Sequence, residues 1–240
     1  MKPRLPFRSP GATDLIAGRA LIHWARGTFF TVVSVFSVVL MSACSGLPDK
    51  PTRSSMYDFG PGLLSTPATT RQAPLPPISL DNIATSGGAL DNMAVLYRLG
   101  YEDEQHLRPY AQSRWAMPPA QLVRQRLKDT LSQRRTVFGA GDSAALNRSQ
   151  NAVLPRLLRL ELEEFSHVFT AADTSVGLIR LRATLLEVTP AGEKLIGQRS
   201  VVVQRPATTP DAPGGVRALT QATDAAIDQI DQWLQQNPAL

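Results

Sequence analysis

The 240 residues predict an α+β fold, an antiparallel sheet with two helices packed on one face, and three observations carry that expectation. Large apolar residues recur at alternate positions near Met93–Leu99, Leu158–Glu163 and Ile179–Leu185, the period of half-buried strands. Two other stretches repeat apolar residues every three or four positions, the period of a helix with one buried face. Their order, strands then a helix then strands then a final helix, is that of a sheet with helices gathered on one side.

The first elements lie beyond residue 77. Ile78-Ser79-Leu80 and the Gly87-Gly88 turn lead to Met93, Val95, Tyr97 and Leu99 on one face of a strand that Gly100 ends. The acidic run Tyr101–His106 reads as a solvated hairpin loop, and Leu107–Trp115 returns as the second strand. That run lacks the spaced Asp/Asn and Gly of a calcium loop, so no metal is expected there.

Pro118-Pro119 opens the first helix, since proline is tolerated where first-turn amides have no partner. Ala120, Leu122, Val123, Leu127 and Leu131 form its apolar stripe. Arg124, Arg126, Lys128, Arg134 and Arg135 make the densest basic cluster in the exported part of the chain. They read as a solvated face with a favourable cationic C-terminus, with contact to lipid headgroups or an acidic partner as the sharper alternative.

A Gly/Asp/Ser-rich connection, Phe138–Gln150, precedes Leu158, Leu160 and Leu162, which share a face opposite Glu161 and Glu163. Glu163-Glu164 breaks the alternation before Phe165, which predicts a bulge. Ile179, Leu181, Ala183 and Leu185 point inward on the next strand, and the Thr189–Lys194 turn joins it to Leu195–Arg205. The three form a meander with one polar face open to water or a partner. After Pro213-Gly214-Gly215, the recurrence of Val216, Leu219, Thr223, Ala226, Ile230 and Trp233 predicts an amphipathic helix of about five turns packed on the sheet.

The amino-terminal segment decides where this domain works. Phe29–Leu40 carries no charge and is too short to span a bilayer comfortably, and Lys2, Arg4, Arg8, Arg19 and Arg26 precede it, as in an exported chain's leader. Met41-Ser42-Ala43-Cys44 follows and resembles the bacterial lipobox, in which the cysteine becomes the first mature residue and is acylated. Cys44 is the only cysteine and forms no internal disulfide. Each buried methylene contributes about 0.8 kcal/mol, so two or three acyl chains make attachment effectively permanent. The expected organisation is a signal peptide over 1–43, a lipidated Pro/Ser/Thr-rich tether over 44–77 with a short edge strand near 57–60, and one domain over 78–237.

Of the 240 residues, removing the first 43 leaves 197, and the balance of 25 Lys+Arg to 20 Asp+Glu becomes 20 to 19, net +1. A near-neutral exported chain lacks the basic footprint of a nucleic-acid binder. Only His106 and His167 remain after cleavage, with no Gly-x-Ser-x-Gly elbow and no histidine pair at metal spacing, so neither catalytic residues nor a cofactor are assigned. Of the acidic cluster Glu161, Glu163 and Glu164, the first two share the solvent face of one strand, interleaved with leucines, without the enclosure that would raise one carboxyl's pKa as in a glycosidase.

Tyr97-Arg98-Leu99, then Leu107-Arg108-Pro109-Tyr110-Ala111-Gln112-Ser113-Arg114-Trp115-Ala116-Met117-Pro118-Pro119, with Gln121-Leu122 after it, resembles the ABC-type transport auxiliary lipoproteins. The Arg-Trp-Ala-x-Pro-Pro run is the most specific part, and the similarity covers roughly Tyr57–Leu234. The resemblance implies a fold similar to the small α/β domain that begins TolB-like periplasmic proteins. It also implies a non-catalytic role in lipid transport across a Gram-negative envelope, beside an MCE-domain protein, a permease and an ATPase. Ser45 after the cysteine is compatible with release to the outer membrane, facing the periplasm. Tyr110, Arg114 and Trp115 are the candidate partner-binding residues, with Trp115 alternatively a core anchor. The sheet's polar face and edges are suited to a homo-oligomer. The competing expectation is a periplasmic lipoprotein enzyme or assembly factor acting on the cell wall or outer membrane.

Overall fold

The structure, a computed structural model, describes residues 53–62, 74–139, 154–189 and 191–237. In chain order it comprises β1 (Ser55–Tyr57), β2 (Ile78–Leu80), β3 (Ala84–Thr85), a 3-10 turn at Gly88–Leu90, β4 (Ala94–Leu99), β5 (Asp103–Trp115), α1 (Pro119–Ser132), β6 (Val137–Phe138), β7 (Arg156–Phe169), β8 (Ser175–Thr189), β9 (Gly192–Pro206) and α2 (Ala212–Gln236). The signal sequence, Cys44 and much of the tether and of the 138–150 connection lie outside the described residues.

β7 is the spine of the sheet. One of its edges pairs antiparallel with β8 from Leu157 opposite Leu186 to Phe169 opposite Ser175, and β8 pairs in turn with β9. The other edge is covered piecewise and in parallel, by β2 at Arg156–Leu158, β3 at Glu161–Leu162 and β4 at His167–Phe169. β5 lies antiparallel to β4, and β1 runs parallel to its far end. The fold is thus α+β with two helices, and the meander is antiparallel as expected, but the whole sheet is mixed. Parallel neighbours need a long crossover, and the chain through α1 supplies it between β4 and β7.

The predicted bulge sets which side chains are buried. Its register shift falls between Leu162 and Glu164. One extra residue reverses the alternation, so the inward series Leu158, Leu160, Leu162 continues as Phe165, His167 and Phe169, all buried. Ile179, Leu181, Ala183 and Leu185 of β8 and Val201 and Val203 of β9 complete the inner face. On β4 the expected alternation fails: Val95 and Leu96 are both buried and Met93 is 43% exposed, because register shifts interrupt its pairing with β5. β5 also begins at Asp103, so the acidic run belongs mostly to the strand, and the turn is closed by Glu102 N–H donating to Leu99 O at 2.9 Å.

Both helices join this core. α1 buries Ala120, Leu122, Val123, Leu127 and Leu131, the stripe read from sequence. α2 has 25 residues and starts at Ala212, so Pro213, Gly214 and Gly215 form its first turn instead of preceding it. Asp211 caps it, accepting from Gly214 N–H at 2.8 Å. Two glycines admit the helix to the sheet. A Cβ on Gly177 would lie 2.5 Å from backbone atoms of Ala218 and Leu219, and one on Gly215 would lie 2.4 Å from His167 Nδ1.

The folded unit also takes in residues 53–62, assigned above to the tether. β1 occupies Ser55–Tyr57, slightly ahead of the expected edge strand, and Phe59 is buried against Trp115 and Phe165 at ring distances of 5.7 and 6.1 Å. Burial of that ring explains why a Pro-rich segment stays on the domain.

Candidate functional site

The polar face of the sheet, opposite the helices, is an ordered array of ion pairs. Arg159 on β7 reaches both carboxylate oxygens of Glu193 at 3.1 and 3.2 Å and Asp81 at 3.4 Å. Arg182 on β8 pairs with Glu161 at 3.7 Å and with Glu163. Arg98 on β4 forks onto Glu164 at 3.1 and 3.4 Å and donates to the Glu104 and Gln105 carbonyls. Alternation placed these charges on one face, and cross-strand register brought opposite signs together: Glu161 stands opposite Arg182. Each glutamate that a glycosidase reading would use is held by an arginine, in a position to stiffen the sheet.

Tyr110, Arg114 and Trp115, all on β5, do not converge on one surface. Trp115 is 1% exposed, packed between Phe59 and Phe165 with its ring 5.5 Å from the latter. It is a core anchor, which corrects its place among candidate contact residues: no partner can reach the ring in the folded domain. Arg114 is exposed, and Met56 of β1 stands opposite it in the register. Tyr110 is half-buried and turns toward His167.

His167 is fully buried. Its Nδ1 shares a 2.8 Å hydrogen bond with the Tyr110 hydroxyl, and its Nε2 has no partner among the described residues. Burial pushes its pKa down to about 4 against the weaker opposing pull of Asp211. The imidazole is therefore neutral at neutral pH. Burial also raises the Tyr110 hydroxyl above its ordinary value, with Tyr97 and Asp211 adding to the shift. Asp211 itself is held below the usual carboxylate range by hydrogen bonds from Thr209 and from Gly214 N–H. Tyr97 lies tilted against Tyr110 at 4.6 Å, and Phe169 lies 4.5 Å from the imidazole. This knot joins β4, β5 and β7 to the start of α2.

The basic cluster of α1 is dispersed by the fold. Arg126 Nε pairs with Asp224 of α2 at 3.1 Å and its Nη2 donates to Phe59 O. Arg124 donates to Asp81 O at 3.3 Å, and Arg135, just past the helix, is buried and paired with Asp231. Two of the arginines thus clamp the helices together, which corrects the expected solvated face. The signal available in sequence was the pairing partner: Asp224 and Asp231 stand seven apart on α2, as two residues facing one neighbour should.

Among the described residues, no group of three or more His, Cys, Asp or Glu can hold a metal ion, and no helix is long and apolar enough to cross a membrane. A family model described as the ABC-type transport auxiliary lipoprotein component matches residues 63–231. No curated protein matches. The fold is similar to a crystal structure of a Xanthomonas campestris protein at 15% identity and TM-score 0.57, covering 76% of this chain and 98% of that one. It is also similar to an uncharacterized protein at 13% identity and TM-score 0.53, covering 76% and 99%. A structure of a Chlamydia trachomatis hypothetical protein aligns at 6% identity and TM-score 0.41, covering 67% and 95%. The match over residues 63–231, most of the chain, makes this protein a member of the ABC-type transport auxiliary lipoprotein family.

Proposed function

We propose that the chain is a non-catalytic lipoprotein, acylated at Cys44 and anchored in the outer membrane with its domain in the periplasm, where it docks an MCE-domain protein served by an ABC permease and ATPase during lipid transfer between membranes. The observation that carries this reading is the family match over residues 63–231. The lipobox-like Ser42-Ala43-Cys44 and the following Ser45 agree with it. Arg114, exposed on β5 beside β1, is the contact residue retained for the partner.

β9 leaves one edge unpaired among the described residues, and it runs for 15 residues. Such an edge is a template for another strand, and a second copy of the chain is the occupant this reading assigns to it. The test is a pull-down of the full chain from a detergent-solubilised envelope. Co-recovery of an MCE-domain protein with permease and ATPase subunits is the expected result. Recovery with cell-wall hydrolases instead would overturn the transport reading. Light scattering of the same sample reports the number of copies.

A further inference from the structure

One cleft of the domain is walled by both cationic and apolar side chains. Arg135 and Arg156 face it together with Leu75, Ile78, Leu185 and Leu234, around a cavity of about 60 Å³. It lies where the start of β7, the end of α2 and the segment before β2 meet. A guanidinium carries five N–H donors, and few of these are engaged. Arg135 donates through Nη2 to Asp231, and Arg156 donates through Nη1 to Asn237 O at 2.8 Å.

Two features mark this place. Arg135 is only 8% exposed, yet its Nε has no hydrogen-bond partner among the described residues. An unpaired buried donor is costly, more so when charged. Charge is also out of balance: Arg135 and Arg156 both line the cavity, and Asp231 is the one carboxylate in ion-pair contact with either of them among the described residues. Burial lowers the Arg135 pKa, and Arg134 pushes the same way against the pull of Asp231. A ligand bearing a negative charge and several acceptor oxygens would satisfy donors and charge together, because arginine forks match planar or tetrahedral oxyanions.

We propose that this cavity is an anion-binding site that takes a single phosphate or carboxylate group between Arg135 and Arg156, with the leucine walls excluding water around it. At about 60 Å³ it has room for more than one water and so for a compact oxyanion. The anion comes either from a lipid headgroup or from free phosphate. The site rests on its own geometry and stands whether or not the chain serves lipid transport.

The full chain in non-ionic detergent is titrated with inorganic phosphate, with short-chain phosphatidic acid and with short-chain phosphatidylcholine, whose phosphate is offset by choline. Calorimetry reads the binding and the melting midpoint checks the fold. Saturable binding of phosphatidic acid, weakened at least tenfold in Arg156→Gln with an unchanged midpoint, is the expected result. Phosphatidic acid binding more tightly than phosphate assigns a lipid headgroup, and equal affinity assigns free phosphate. Arg135→Gln alone strands Asp231, so the second variant is Arg135→Gln with Asp231→Asn, which removes the cation and leaves no unpaired carboxylate. No saturable binding of either anion, or binding unchanged in both variants, overturns the site.

Discussion

Lowering the pH should loosen the knot around His167. The folded pKa lies near 4, below the ordinary 6.5, because the ring is buried. Between those values the unfolded chain binds a proton that the folded chain does not, so the stabilisation is complete above pH 6.5 and is lost as pH falls toward 4. Each pKa unit corresponds to about 1.36 kcal/mol, so the loss from pH 7 to pH 4.5 is about 2 kcal/mol. Of the groups facing the ring, Asp211 has a pKa held below 3.8 and Tyr110 one raised above 10, so neither titrates in that window. Urea unfolding of wild type and His167→Gln across this range isolates the effect, since other groups contribute equally to both. Wild type should lose about 2 kcal/mol more than the variant. Parallel curves for wild type and His167→Gln would show that the imidazole is not held neutral by burial.

The remaining predictions concern packing and the anchor. Trp115→Ala should cost roughly 3–5 kcal/mol, read by denaturant midpoint, since the indole fills the space between Phe59 and Phe165. Gly177→Ala should destabilise by about 1–3 kcal/mol, because the clash is with the α2 backbone and no side chain can swing aside; a variant as stable as wild type would refute that close approach. Arg126→Ala removes the donor to Phe59 O and the partner of Asp224, so amide exchange over residues 53–62 should quicken while β7 and β8 stay protected. Cys44→Ala should abolish acylation by mass spectrometry and release the protein from membranes. Retention in the membrane fraction would place the anchor elsewhere.

Local periodicity made most of the secondary structure legible. The leucines of β7, the inward residues of β8 and the stripe of α1 all follow from alternation or three-and-four spacing. The doubled glutamate even marked the bulge, because a broken alternation is visible in one strand alone. The start of α2 was not legible, since Pro-Gly-Gly reads as a breaker unless the sheet that those glycines approach is in view. Nor was the division of labour among the arginines, because a cation's role depends on which carboxylate the fold delivers to it.

By itself the sequence determined the class of fold, the order of its elements, and the motif that resembles the family to which the chain belongs. Tertiary structure alone decided that Trp115 belongs to the core, that His167 is sealed beneath Tyr110, and that Arg126 and Arg135 bind the helices to each other. The reason is range. Alternation and capping act between residues a few positions apart, whereas Phe59 meets Phe165, Tyr110 meets His167 and Arg135 meets Asp231 only once β7 has gathered its neighbours on both edges.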